Sequence, residues 1–108
     1  MISRPKNRYI LVESTAPLDT RSEAVANEII RLLSVEIGAL GYVRSHPKIV
    51  CQVGSSRFIV RVGRGWEKEI MLALSFMKEM GGMPIGFFTL KTSGSVKKLK
   101  TVPNYTSV

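Results

Sequence analysis

Apolar residues recur along this chain at two different periods, and each change of period marks a new element. Arg8-Tyr9-Ile10-Leu11-Val12-Glu13 is rich in β-branched and aromatic residues, ends at Ser14, Thr15 and Pro17, and predicts a strand. Val25, Ile29, Leu33, Ile37 and Leu40 then return at helical spacing. Ahead of them Thr20-Arg21-Ser22-Glu23 has the spacing of a capping box, and behind them Gly41 is a good helix stop. Ile49, Cys51 and Val53 alternate with Lys48, Val50 and Gln52, which predicts a second strand, and Gly54-Ser55 is a tight hairpin signal.

The third strand alternates most cleanly, with Phe58, Val60 and Val62 on one face and Arg57, Ile59 and Arg61 on the other. Gly63-Arg64-Gly65 breaks it. A second helix begins near Trp66, carries Trp66, Ile70, Ala73, Leu74 and Met77 on one stripe, and is expected to end at Gly81-Gly82. A fourth strand spans about Met83 to Lys91, Ser95 to Lys100 can form a short helix, and Thr101 to Val108 reads as a frayed terminus. Strand, helix, strand, strand, helix, strand predicts an α+β two-layer sandwich. Its form is ferredoxin-like, a four-stranded antiparallel sheet with both helices on one face. Residues 1–108 then make one domain, long enough for a single core.

The first and last strands break this pattern in an informative way. Ile10 and Val12 back onto Tyr9 and Leu11, and Phe87 and Thr89 onto Phe88 and Leu90, so both strands are apolar on both faces. A sheet with one solvated face alternates more cleanly. The open face is therefore expected to be covered in part, by the C-terminal segment or by another subunit, self-association included.

Charge narrows the partner. Sixteen Lys plus Arg stand against eight Asp plus Glu, a formal +8, which suits a polyanion. The charge is also segregated. Glu23, Glu28, Glu36, Glu67, Glu69 and Glu79 fall in the helical segments, while Arg4, Lys6, Arg8, Arg57, Arg61, Arg64 and the C-terminal lysines are largely without acidic neighbours. No exposed basic amphipathic helix with Trp or Phe anchors favours a membrane surface, and no apolar run approaches the ~20 residues of a span. Met1 to Arg8 lacks the apolar segment of a secretion signal, so a cytoplasmic protein is expected.

Catalysis finds little material. Cys51 and His46 are the only residues of their kinds and cannot make a zinc site, so no metal or cofactor is expected on the protein. His46, in Arg44-Ser45-His46-Pro47, has no neighbouring acid or Cys to orient it as a base. Val62-Gly63-Arg64-Gly65-Trp66 lacks the spacing and the Lys-Ser/Thr of a phosphate loop. An RNA-recognition module of this topology would place aromatic residues outward on its central strands, where this chain has Arg57, Ile59 and Arg61. Phosphate contact fits that face better than base stacking.

The C-terminal stretch is the strongest candidate for such contact. Thr92-Ser93-Gly94-Ser95-Val96-Lys97-Lys98-Leu99-Lys100 follows an apolar strand and, with Lys91, brings four lysines and no acid. Around Gly94 the backbone amides of Ser93 to Ser95 can approach a phosphate closely.

Arg4-Pro5-Lys6-Asn7-Arg8-Tyr9-Ile10 at the front and Thr92-Ser93-Gly94-Ser95-Val96-Lys97-Lys98-Leu99 at the back resemble the two signatures of the ribonuclease P protein component 2 family. This is the small protein subunit of archaeal and eukaryotic ribonuclease P, and the compact length resembles its archaeal members. The resemblance implies a non-catalytic subunit of a ribonucleoprotein that removes the 5′ leader of precursor transfer RNA. It implies ribonuclease P RNA, precursor tRNA and a TIM-barrel-like protein subunit as partners, with Mg²⁺ held at the RNA. Position by position, Arg4, Lys6 and Arg8 match the first signature, and Ser93, Gly94, Ser95, Lys97 and Lys98 the second; these are the expected RNA contacts. Arg57, Arg61, Lys91 and Lys100 join them on charge and strand parity. Two alternatives share the sandwich: another RNA-structuring protein of ribosomal type, and a small-molecule-sensing oligomer.

Overall fold

The computed structural model describes residues 7–103. Its elements follow the expected order: β1 (Asn7–Ser14), α1 (Glu23–Ser45), β2 (Lys48–Val53), β3 (Arg57–Gly63), α2 (Glu67–Phe76), β4 (Glu79–Met80), β5 (Met83–Pro84), β6 (Phe87–Ser93) and α3 (Val96–Lys100). The main sheet runs β2-β3-β1-β6 with every neighbour antiparallel, so the ferredoxin-like arrangement stands.

The alternation in β3 sets the layers. Phe58, Val60 and Val62 join Ile10 and Val12 of β1 and Phe87 of β6 on the inner face, where Ile29 and Leu33 of α1 and Ile70, Ala73 and Leu74 of α2 bury them. Phe58 and Phe87 meet edge to face, their ring centroids 5.9 Å apart. The outer face holds a smaller cluster in which Leu11 and Ile59 bury Leu99 of α3. The covered outer face expected from the doubly apolar strands is thus present, and the C-terminal segment does the covering. Part of the mixed pattern has a second cause. The β1–β6 register shifts so that Leu90 is unpaired, and the β2–β3 register shifts at Val50; both residues bulge toward solvent.

Four local expectations are corrected. The capping box does not form: Ser22 is the N-cap and makes no side-chain cap bond. Thr20 is buried instead, and its hydroxyl and backbone N–H both donate to Gln52 Oε1, the N–H at 3.0 Å. Gln52 Nε2 donates in turn to the Leu18 and Gly54 carbonyls, so one amide ties the β1–α1 loop to the β2–β3 turn. Next, α1 runs past Gly41. Gly38 has φ 77° and kinks the helix, turning Leu40 outward (62% exposed) and Gly41 inward. A Cβ on Gly41 would crowd Ile37 Cβ of its own helix at 3.1 Å and meet Trp66 Cζ3 at van der Waals distance (3.4 Å), so Gly41 is buried between α1 and the start of α2. The helix stops at His46, which takes a left-handed conformation (φ 45°) and donates its N–H to the Tyr42 carbonyl, with Pro47 next.

Third, α2 ends at Phe76, not at the glycine pair. Gly81 and Gly82, with φ of 60° and 81°, form the turn of a small hairpin of β4 and β5. Consequently the expected fourth strand is two elements: β5 belongs to that hairpin, and β6 begins only at Phe87. The reading of Thr101 to Val108 as a frayed terminus falls, from residue 104 onward, outside the described residues.

Candidate nucleic-acid interface

The sheet register brings the two end segments together. Tyr9 of β1 pairs with Ser93 of β6, so Arg8 lies beside the residue that follows Ser93. Arg8 Nη1 stands 3.4 Å from where a Cβ on Gly94 would be, the guanidinium lying against the bare glycine backbone. Behind it Glu67 at the start of α2 accepts the Gly65 N–H through Oε1 at 2.6 Å and faces Arg8 Nε through Oε2 at 3.5 Å. A half-exposed ion pair of this kind adds little stability, but it orients the guanidinium. Arg4 and Lys6 lie outside the described residues.

Ser93-Gly94-Ser95 forms a turn closed by its own hydroxyl, since Ser93 Oγ accepts the Ser95 N–H at 3.1 Å. One of the amides expected to face a phosphate is therefore committed internally. The turn leads into α3, where Leu99 is fully buried while Lys97, Lys98 and Lys100 are exposed. Leu99, with Val96 packed against the same cluster, thus fixes which side of the helix its lysines occupy. Lys91, two residues before Ser93, is also exposed.

Arg61 pairs with Tyr9 on one side and Lys48 on the other, so Lys48, Arg61, Tyr9 and Ser93 form one row across four strands. Arg61 and Lys48 line a hollow of about 360 Å³ with Tyr42 and His46. Arg57 differs from the rest. It is on the outer face, as parity requires, but only 7% exposed; Nε binds Glu13 Oε1 at 2.9 Å and Nη1 donates to the Val102 carbonyl at 3.1 Å. Its guanidinium faces protein, not solvent, because α3 and the residues after it cover that end of the sheet.

Three participants escaped the sequence reading. Lys48 carried a signal, as the polar first residue of an alternating strand. Glu13 and Glu67 carried none, because their partners are distant in sequence and only the register and the α2 start bring them close.

The helical layer has a different character. Between α1 and α2 a groove of about 200 Å³ is lined by Ile37, Trp66, Leu72, Ala73 and Phe76, with Glu36 and Glu69 beside them. Leu72 and Phe76 are more than half exposed. Among the described residues the groove itself holds no cation, although Arg31, Arg44 and Lys68 are exposed elsewhere on the two helices, and the lysines of α3 lie on the opposite side of the sheet.

Comparison with known proteins places the chain in a family. The Rpp14/Pop5 family matches residues 8–102. The chain is 31% identical over 98 residues to ribonuclease P protein component 2 of Thermococcus kodakarensis and 32% identical over 98 residues to that of Thermococcus gammatolerans, covering 90% of this chain and 82% of each relative. To the protein of that name from Methanocorpusculum labreanum it is 29% identical over 97 residues, spanning 90% of this chain and 65% of that one. A chain in the cryo-EM structure of yeast ribonuclease MRP superposes with a TM-score of 0.59 at 14% identity, over 88% of this chain and 79% of the other, which is a likeness of fold. With the match running from the Arg8 of one signature through the α3 lysines of the other, the chain belongs to the Rpp14/Pop5 family.

Proposed function

We propose that this protein is a non-catalytic subunit of ribonuclease P that binds and supports the catalytic RNA during removal of the 5′ leader from precursor tRNA. The observation that carries the reading is the meeting of the two end segments: Arg8 lies over Gly94 at the root of a helix whose three lysines all face solvent. Arg8, beside Glu67 of α2, and the α3 lysines on the outer face gather at one end of the sheet, where they neutralise phosphate repulsion and let a folded RNA hold its Mg²⁺ ions at lower ionic strength. The metals of the reaction belong to the RNA.

The reading extends to a protein neighbour, the TIM-barrel-like subunit. What supports it is the α1–α2 groove, whose exposed Leu72 and Phe76 suit a protein surface better than a polyanion. The RNA and the protein neighbour would then occupy opposite layers, and the precursor tRNA would be reached through the RNA.

Reconstitution tests this directly. Ribonuclease P RNA, the TIM-barrel-like subunit and Mg²⁺ are combined, and precursor-tRNA cleavage is followed with and without this protein. Stimulation is expected from the wild type and its loss from the Ser93→Ala/Lys97→Ala/Lys98→Ala variant. With about four to six phosphates contacted, RNA affinity should fall with a log–log salt slope of about 3 to 5. No stimulation, where another family member stimulates the same RNA and partner, overturns the assignment.

A further inference from the structure

We infer that Arg57 is a positioning residue for the basic helix α3, latching it onto the sheet, and is not itself a phosphate contact. The inference rests on the proposed RNA-facing role of α3 and adds a mechanism for holding it. α3 has only five residues, too short to be stable alone, so its place depends on what binds it to the sheet. Two anchors do so. Leu99 is buried with Leu11 and Ile59, and Val96 and Val102 pack against the same cluster. Beyond the end of the helix, the Val102 carbonyl accepts from Arg57 Nη1 at 3.1 Å.

The second anchor is specific. Arg57 sits directly opposite Glu13 in the β1–β3 register, and Glu13 Oε1 fixes Nε at 2.9 Å, with the two side chains only 8% and 18% exposed. The carboxylate neutralises the guanidinium and aims its other nitrogen at the C-terminal segment. Arginine is suited to this because its planar fork makes both bonds at once; a lysine has a single point charge and cannot reproduce the fork. A side chain that presented itself to a phosphate would be exposed, and this one is enclosed between Glu13 and Val102.

The lone thiol supplies a readout. Cys51 packs against the same outer cluster as Leu99, and it is the only cysteine of the chain. Release of α3 opens this side of the thiol, so the rate of labelling by a thiol reagent reports undocking. The variants are Arg57→Lys, which keeps the charge, and Arg57→Gln paired with Glu13→Gln, which leaves no stranded charge if removal of one partner alone prevents folding. Leu99→Ala serves as the reference for a released helix.

If Arg57 latches α3, both the Lys variant and the double variant label Cys51 at least about five-fold faster than wild type. Their RNA-binding salt slope falls by about 2, the contribution of roughly three lysines. The inner-face unfolding transition, followed by circular dichroism, remains. Two results overturn the inference: Arg57→Lys matching wild type in labelling and slope, or a fall in RNA affinity with labelling unchanged, which would make Arg57 a direct phosphate contact. Should the wild type show no salt-dependent RNA binding, the RNA reading fails, and the labelling rates still decide whether Arg57 holds α3.

Discussion

The two faces of the sheet are built on unequal scales. Among the described residues, the buried cluster that α1 and α2 form with the inner face has thirteen members, and the one that the five-residue α3 forms with the outer face has three. Burial stabilises roughly in proportion to apolar area, so the inner face holds the fold and the outer face is a layer added to it. The lysines are carried by the added layer. If α3 faces RNA as proposed, a segment with its own small anchor can be tuned, or lost, without unfolding the layers beneath.

That inequality can be broken from either side. The largest effect is expected from Phe58→Ala, which removes a fully buried ring packed edge to face on Phe87. A loss of about 3–5 kcal/mol, read as a lowered denaturation midpoint, would leave a domain of this size barely folded. Leu99→Ala is the outer-face counterpart. It should lower the midpoint by less than half as much, because α3 detaches before the sheet opens, while the salt slope of RNA binding falls by about 2. Equal midpoint shifts for the two variants would show that the faces fold as one unit.

The smallest effect belongs to neither face. The Arg21 guanidinium, hydrogen-bonded to Asp19, holds that carboxyl below the usual carboxylate range, and both groups are exposed. A depressed acid contributes stability above its unfolded value and loses it as pH falls through the folded one. Asp19→Asn should therefore lower the melting temperature barely measurably at pH 7, and the gap to wild type should close in acid. RNA binding should be unchanged; a change in slope would extend the interface to the β1–α1 loop.

The contrast between the faces was partly visible in the chain. Clean alternation in Phe58, Val60 and Val62 announced the inner face, and the doubly apolar Ile10-Leu11-Val12 announced that something covers the outer one. What escaped was tertiary in origin. Gly41 reads as a helix stop, yet the chain kinks at Gly38 and carries Gly41 on inside the helix, buried beside Trp66. Gly81-Gly82 is equally compatible with a helix end and a hairpin turn, until β4 and β5 pair. Arg57 read as an outward cation because parity fixes the face of a residue and says nothing of what lies over it. Its partners Glu13 and Val102 are 44 and 45 residues away, beyond the reach of any local pattern.

The central position of β1 has a consequence for biosynthesis. Among the described strands it is synthesised before the others, yet it pairs with β3 on one side and β6 on the other. Arg8 therefore waits for Gly94 until β6 has been translated, and α3 docks later still. A nascent chain that stalls before β6 lacks the glycine beneath Arg8, the lysines and the apolar residues that orient them. Such a fragment exposes the β1 edge and, on the proposed reading, lacks the surface that would meet RNA.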